Sequence, residues 1–169
     1  SSSLKFAIFE AEQPHARPRI SGKISGIGGA PVFSAKDEAG IALTSTQLAK
    51  LNPASSHEDL IALLLNWLER HLGDRSLTMV GHRVVHGGRH FSQPVRLDDN
   101  VLRQLDELVP LAPLHQPHNL AAIRAVAKWL PDLPQIACFD TGFHRTQDPL
   151  ATLFALPRAL SDEGVIRYG

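Results

Sequence analysis

The first third of the chain shows the alternating apolar and polar positions that are typical of β-strands. Residues 4–10, residues 19–27 and a segment that begins at Val32 have this spacing, and the turn sequence Gly-Gly-Ala-Pro at residues 28–31 separates the last two. Residues 37–46 are too mixed in character to be assigned. The pattern therefore predicts three strands before the first helix.

Three helices are predicted further along. The first begins at the Ser-rich and acidic capping sequence of residues 55–59 and ends near Gly73, the second is capped by Asp98 or Asp99, and the third opens at Pro117. The residues predicted to face the core are Leu60, Ile61, Leu64, Leu65 and Leu68 in the first helix, Leu102, Leu105, Leu108 and Val109 in the second, and Leu120, Ile123, Ala127 and Leu130 in the third.

Two further strands complete the prediction. Residues 76–85 and 135–140 are apolar runs of strand length, and they fall before the second helix and after the third. The predicted order is three strands, a helix, a strand, two helices and a strand. This order favours a single α/β domain over residues 1–169.

Composition narrows the class of protein. The 169 residues carry 17 basic and 17 acidic side chains, so the net charge predicts neither nucleic-acid nor membrane binding. A single cysteine, Cys138, excludes an internal disulfide and suits a reducing, cytoplasmic location. Because the chain has no initiator Met and stops at Tyr168-Gly169 without a tail, we expect it to be part of a longer protein.

Histidines are concentrated in one region, since six of the nine lie between residues 82 and 144. The spacing His82-x3-His86-x3-His90 would form a metal site if it lay on one face of a helix. Two observations argue against a helix here: Gly-Gly at residues 87–88 would break it, and residues 76–85 read as a strand. A metal-dependent hydrolase that uses these histidines and Asp140 remains an alternative.

The sequence Gly-His-Arg-Val-Val-His-Gly-Gly at residues 81–88 places Arg83 near the end of a strand. In open α/β folds, ligands bind at the carboxyl edge of the sheet. The planar guanidinium suits a carboxylate or a phosphate, and the alternative is a surface arginine in an ordinary ion pair.

Two other residues are candidates for chemistry. Asp140 ends an apolar strand, where a carboxylate can orient a nucleophile or hold a metal ion through water. The alternative is that Asp140 caps the segment that follows. His115 lies between Pro113 and Pro117, which either position its ring or are incidental features of a loop that opens a helix.

The chain begins with Ser-Ser-Ser-Leu-Lys, which brings hydroxyl groups and the Lys5 ammonium to the start of the first strand. Such groups can hold phosphate, although the sequence has no Walker A motif. A frayed terminus is the alternative interpretation.

Together these segments resemble the acetate kinase family of short-chain carboxylate kinases. The matching segments, in order, are residues 1–6, 81–88, 111–115, 139–144, 155–157 and 164–169. The resemblance implies the ribonuclease H-like α/β fold shared by sugar kinases, actin and the large heat-shock chaperones. It identifies residues 1–169 as similar to the N-terminal domain of a two-domain kinase.

The resemblance also implies an activity: reversible transfer of the ATP γ-phosphoryl group to acetate, with ATP or ADP as co-substrate and Mg²⁺ or Mn²⁺ as the metal. Arg83, Asp140 and His115 would be catalytic, Asp140 contacting the metal only through water. In substrate binding, Arg83 would contact the carboxylate or the transferring phosphoryl group, and Val85 and Leu114 would line the apolar pocket for the methyl group. Lys5, Ser1 and Ser3 would lie near the nucleotide phosphates. The complete enzyme would be a homodimer in the cytoplasm, and residues 1–169 alone would be inactive.

Three positions depart from the family pattern. Gly142 stands where Ala or Ser is usual, Gln116 replaces a common Asn, and Arg145 replaces a common Gln. Gly142 is expected to loosen the loop after Asp140. Acetate, propionate and butyrate remain open as substrates, because one methylene changes binding by only about 1–3 kcal/mol. A non-catalytic binding module is the other alternative.

Overall fold

The structure is a computed structural model that describes residues 3–12, 17–45, 48 and 51–168. The chain divides into two compact units, Ser1–Thr78 with Ala121–Leu133 and Met79–Leu120 with Pro134–Gly169. Within the described residues, no helix has the length and apolar character needed to cross a membrane. The single-domain assignment of residues 1–169 stays a prediction.

The first unit is built on a four-stranded antiparallel sheet in the order β1-β2-β3-β4. Its strands are β1 (Ser3–Ile8), β2 (Ile20–Ser25), β3 (Val32–Asp37) and β4 (Ala42–Leu43). Ile24 pairs with both Leu4 and Phe33, so apolar side chains line one face of the sheet. The three predicted strands are confirmed, and β4 lies in the region that the sequence pattern left unassigned.

Helix α1 (His57–Leu72) supplies the other half of this core. The backbone N–H of Asp59 donates to Ser56 Oγ at 3.1 Å, and the Asp59 carboxylate accepts from the Ser56 N–H at 2.9 Å, which confirms the predicted capping box. The face turned to the core differs in one position, since Trp67 is buried and Leu65 is only half-buried.

The second unit contains a three-stranded sheet in the order β5-β7-β6. Its strands are β5 (Val80–Val84), β6 (Val95–Arg96) and β7 (Gln135–Phe139), with β7 parallel to β5 and antiparallel to β6. The predicted strand over residues 76–85 was too long. The ladder between β5 and β7 starts at the pair Val80 and Gln135, because Pro134, the residue before Gln135, has no N–H to donate.

The helices of the second unit are α2 (Asp99–Glu107), the start of α3 (Gln116–Trp129), and the short α4 (Pro149–Thr152) and α5 (Arg158–Asp162). Asp98 is the N-cap of α2 and accepts from the Val101 N–H at 2.7 Å. Leu108 and Val109 were predicted inside this helix but lie beyond it. Pro110 has no N–H to donate to the Asp106 carbonyl, so the α-helical hydrogen bonds end here and a 3₁₀ turn over Val109–Leu111 follows.

Candidate functional site

The parallel pairing of β5 and β7 brings Arg83 and Asp140 together. Arg83 pairs with Cys138, and Asp140 lies two residues further along, on the same face of the sheet. Arg83 Nε lies 2.8 Å from Asp140 Oδ1, and Arg83 Nη2 lies 2.8 Å from Asp140 Oδ2. Two residues singled out separately in the sequence therefore form one bidentate pair.

The geometry resolves the alternative proposed for Asp140. Phe139 occupies the N-cap position of the 3₁₀ helix Asp140–Thr146, so Asp140 lies inside the first turn, and its carboxylate bonds Arg83. The capping alternative is therefore wrong. Arg83 does form an ion pair, as its alternative interpretation predicted, but the partner is Asp140, the other candidate for catalysis.

The exposure of this pair argues against a role in stability. The Arg83 side chain is 84% exposed and that of Asp140 36%, and exposed ion pairs contribute only about 0–1 kcal/mol. Hydrogen bonding and charge from Asp140 raise the pKa of Arg83, which keeps the guanidinium charged. Because the carboxylate occupies Nε and Nη2, the edge that contains Nη1 faces away from Asp140 and can receive a second planar anion.

The backbone that follows β5 is held by side chains of two other elements. We call residues 85–88 the strand-exit segment. The Val85 N–H donates to Asn119 Oδ1 on α3, and the Gly87 N–H donates to Thr141 Oγ1 in the 3₁₀ helix, both at 3.0 Å. Sequence reasoning missed Asn119 and Thr141. Their only signal is position, one helical turn after His115 and directly after Asp140.

His86 and Gln116 complete the polar contacts of this segment. His86 Nδ1 accepts from the Gly88 N–H at 2.9 Å, so this nitrogen carries no proton, and burial lowers the pKa of His86. Gln116 is fully buried and donates from Nε2 to the carbonyls of His86 and Leu105. Its Oε1 has no hydrogen-bond partner among the described residues.

The glycines of this region are required by close packing. A Cβ on Gly87 would lie 2.2 Å from the Phe91 carbonyl oxygen, and Gly88 adopts a φ of +59°. A Cβ on Gly142 would lie 2.7 Å from the Ser92 carbonyl oxygen. Gly142 therefore permits a close backbone approach, where the sequence had suggested a looser loop.

Val85 belongs to the strand-exit segment, and Leu114 and His115 lie in the turn just before α3. The His115 carbonyl accepts from the Asn119 N–H at 3.1 Å, so Asn119 connects His115 to Val85. Val85 is half-buried and Leu114 is 75% exposed. Their joint role beside an alkyl group therefore stays a prediction.

The phosphate candidates belong to the other unit. Ser3 and Lys5 lie on β1, Lys5 is exposed and pairs with Lys23, and Ser1 falls outside the described residues. Their roles near phosphate therefore stay predictions.

The histidine arrangement does not form the helical metal site considered from the sequence. His82 lies on β5, His86 lies in the strand-exit segment, and His90 lies in the turn that follows it. The His82 Nε2–H donates to Gln135 Oε1 at 2.7 Å. Among the described residues, no group of three or more His, Cys, Asp or Glu side chains is placed to hold a metal ion.

Comparison with known proteins gives the family. The model of the acetokinase family matches residues 1–169, which is the whole chain. The chain belongs to the acetokinase family. An acetate kinase of Rhodopseudomonas palustris is 47% identical to this acetokinase-family chain over 171 residues, which covers 100% of the chain and 42% of that protein.

Solved structures agree with this assignment. A propionate kinase from Francisella tularensis matches the acetokinase-family chain with a TM-score of 0.85 at 30% identity. Porphyromonas gingivalis acetate kinase matches with a TM-score of 0.83 at 32% identity. Each match covers 100% of this chain and 42% of the other, so the chain spans less than half the length of these proteins. The predicted α/β fold is confirmed.

Proposed function

We propose that this chain carries part of the active site of an acetate kinase, which reversibly transfers the ATP γ-phosphoryl group to acetate and forms acetyl phosphate and ADP. The observation that supports this proposal is the bidentate Arg83–Asp140 pair at the carboxyl ends of β5 and β7. Open α/β sheets bind ligands at this edge, and the chain belongs to a family of carboxylate kinases.

Phosphoryl transfer requires that the carboxylate be aligned with the γ-phosphorus and that the negative charge on the phosphate oxygens be neutralised. A carboxylate oxygen attacks the γ-phosphorus in line, while the bond to the β,γ-bridging oxygen breaks and its electrons leave with ADP. The outward edge of Arg83 holds the carboxylate or the phosphoryl oxygens, and Asp140 fixes the plane of the guanidinium. His115 lies beside the phosphoryl group and balances its charge.

A divalent cation accompanies ATP in this proposal. Mg²⁺, or Mn²⁺ in its place, supplies neutralisation of the phosphate oxygens when bound. Asp140 fits a contact through water, because its oxygens keep lone pairs beyond those used by Arg83 and its side chain is 36% exposed. Asp140 would therefore hold the cation through a water molecule.

Substrate choice is proposed to depend on Val85 and Leu114, which flank the carboxylate and cover its alkyl group. Acetate is the proposed substrate, and propionate and butyrate are the alternatives within the family. The Francisella tularensis match is called a propionate kinase, so the alternative has a structural relative. One methylene in an apolar pocket changes specificity by only about 1–3 kcal/mol.

The rest of the active site is proposed to come from outside residues 1–169, in a complete protein that is a cytoplasmic homodimer. Ser1, Ser3 and Lys5 lie near the nucleotide phosphates in this proposal. The 169 residues alone are expected to be inactive, since the match to the Rhodopseudomonas palustris enzyme covers only 42% of that protein.

The test is MgATP-dependent acyl phosphate formation, trapped as the hydroxamate with hydroxylamine, with acetate, propionate and butyrate. The complete protein is expected to form product, fastest with acetate, and residues 1–169 alone none. Arg83→Ala and Arg83→Lys are each expected to lower kcat/KM by about 100-fold or more, because lysine restores the charge but not the planar fork. Arg103→Ala, which removes an exposed arginine of α2, is the matched control. Normal kinetics in both Arg83 variants would exclude the assigned role.

A further inference from the structure

The strand-exit segment is a stretch of backbone outside the sheet in which the N–H groups of Val85, Gly87 and Gly88 are satisfied by side chains. The Val85 and Gly87 N–H groups lie beyond the end of β5 and bond Asn119 and Thr141. Backbone N–H groups shielded from water require a partner, so the position of this segment depends on those two side chains.

Each side chain lies close along the chain to a catalytic candidate. Asn119 lies in the first turn of α3, and its backbone N–H donates to the His115 carbonyl at 3.1 Å, which is a regular helical hydrogen bond. Thr141 is the residue after Asp140. Each side chain therefore joins the backbone beside one catalytic candidate to the segment that follows Arg83.

We propose that Asn119 and Thr141 are positioning residues that hold Arg83, Val85, Asp140 and His115 in register for phosphoryl transfer. This inference rests on the proposed function. Neither side chain is assigned a contact with substrate. Each acts through the backbone of the strand-exit segment, which sets where the Arg83 fork and the Val85 side chain meet the carboxylate.

Isosteric substitutions separate the hydrogen bond from the shape of each side chain. Asn119→Leu removes the acceptor at nearly constant volume, whereas Asn119→Asp keeps an oxygen that can accept from the Val85 N–H. Thr141→Val and Thr141→Ser form the same kind of pair for Gly87. Asn100→Leu is the control, because it makes the same change at an exposed helical position of α2.

The first measurement is steady-state kinetics of the complete protein. Asn119→Leu and Thr141→Val are each expected to lower kcat/KM for the carboxylate by about 10- to 100-fold, with the KM for ATP changed by less than about twofold. Asn119→Asp and Thr141→Ser are expected to stay within about threefold of wild type, because each keeps the acceptor. A purely structural role would lower the amount of folded enzyme and leave the kinetics of the remainder unchanged.

The second measurement is amide hydrogen exchange at Val85 and Gly87, which does not depend on activity. Exchange is expected to accelerate by about tenfold or more at Val85 in Asn119→Leu and at Gly87 in Thr141→Val, and to remain slow in the two conservative variants. Unchanged exchange in Asn119→Leu and Thr141→Val, or conservative variants as impaired as their apolar counterparts, would overturn the inference. Wild-type protein that forms no acyl phosphate from any carboxylate would overturn the proposed function, and with it the positioning role of both residues in phosphoryl transfer, even if the exchange results were as expected.

Discussion

Replacing Gly87 by alanine tests the reason for the glycine pair after β5. The added Cβ would lie 2.2 Å from the Phe91 carbonyl oxygen and 2.9 Å from Phe139 Cγ, and neither is the end of a flexible chain. Phe91 also donates its N–H to the Gly87 carbonyl at 3.0 Å, so relieving the clash disturbs that bond. Overpacking of this kind costs typically 1–3 kcal/mol and more where backbone must move, so we expect a loss of about 3 kcal/mol or more.

The same motif contains its own control. A Cβ on Gly81 meets no described atom within 4 Å, and its φ is not in the left-handed region, so Gly81→Ala is expected to change the free energy of unfolding by no more than about 0.5 kcal/mol. Urea unfolding of the complete protein, followed by far-UV circular dichroism, compares both variants with wild type. A Gly87→Ala variant as stable as Gly81→Ala would refute the steric argument.

Two further predictions concern stability. Burial lowers the pKa values of His82 and His86, so below about pH 6.5 the unfolded chain binds more protons than the native one, and stability falls as the pH is lowered. Urea unfolding midpoints at pH 8 and pH 5 measure this loss. His86→Asn removes one of the two titrating groups and should therefore reduce the difference between the two midpoints. Ser56→Ala removes the cap of α1 and should cost about 1 kcal/mol in urea unfolding, with Ser55→Ala as the control; equal stability of the two variants would contradict the capping argument.

The close approach of Arg83 and Asp140 shows how two separate signals in the sequence become one site. Each residue was identified by its place at the end of an apolar run. The two residues are 57 positions apart, and only the parallel register of β5 with β7 brings them to one face of the sheet. The periodicity of apolar residues predicts the helix or strand to which a residue belongs. The pairing of strands that are distant along the chain depends on the tertiary fold.

The boundaries that the sequence predicted poorly share a physical cause. Residues 76–79 have strand character but lie outside β5, since Pro134 ends the ladder on the partner strand. Trp67 is buried against the sheet of the first unit, where its ring contacts Phe6 and Phe33. In both cases a residue far away along the chain decides the outcome, and a local pattern carries no information about it.

Local patterns in the sequence were sufficient to predict the type and order of the main elements, the capping of α1 and α2, and the candidate catalytic residues. These features depend on residues within a few positions of one another, so a local pattern contains the information needed to predict them. The tertiary structure alone decided that Asp140 faces Arg83 and that Asn119 and Thr141 hold the strand-exit segment. Those contacts join residues 34 to 57 positions apart, so they depend on the packing of the second unit, which brings these residues together.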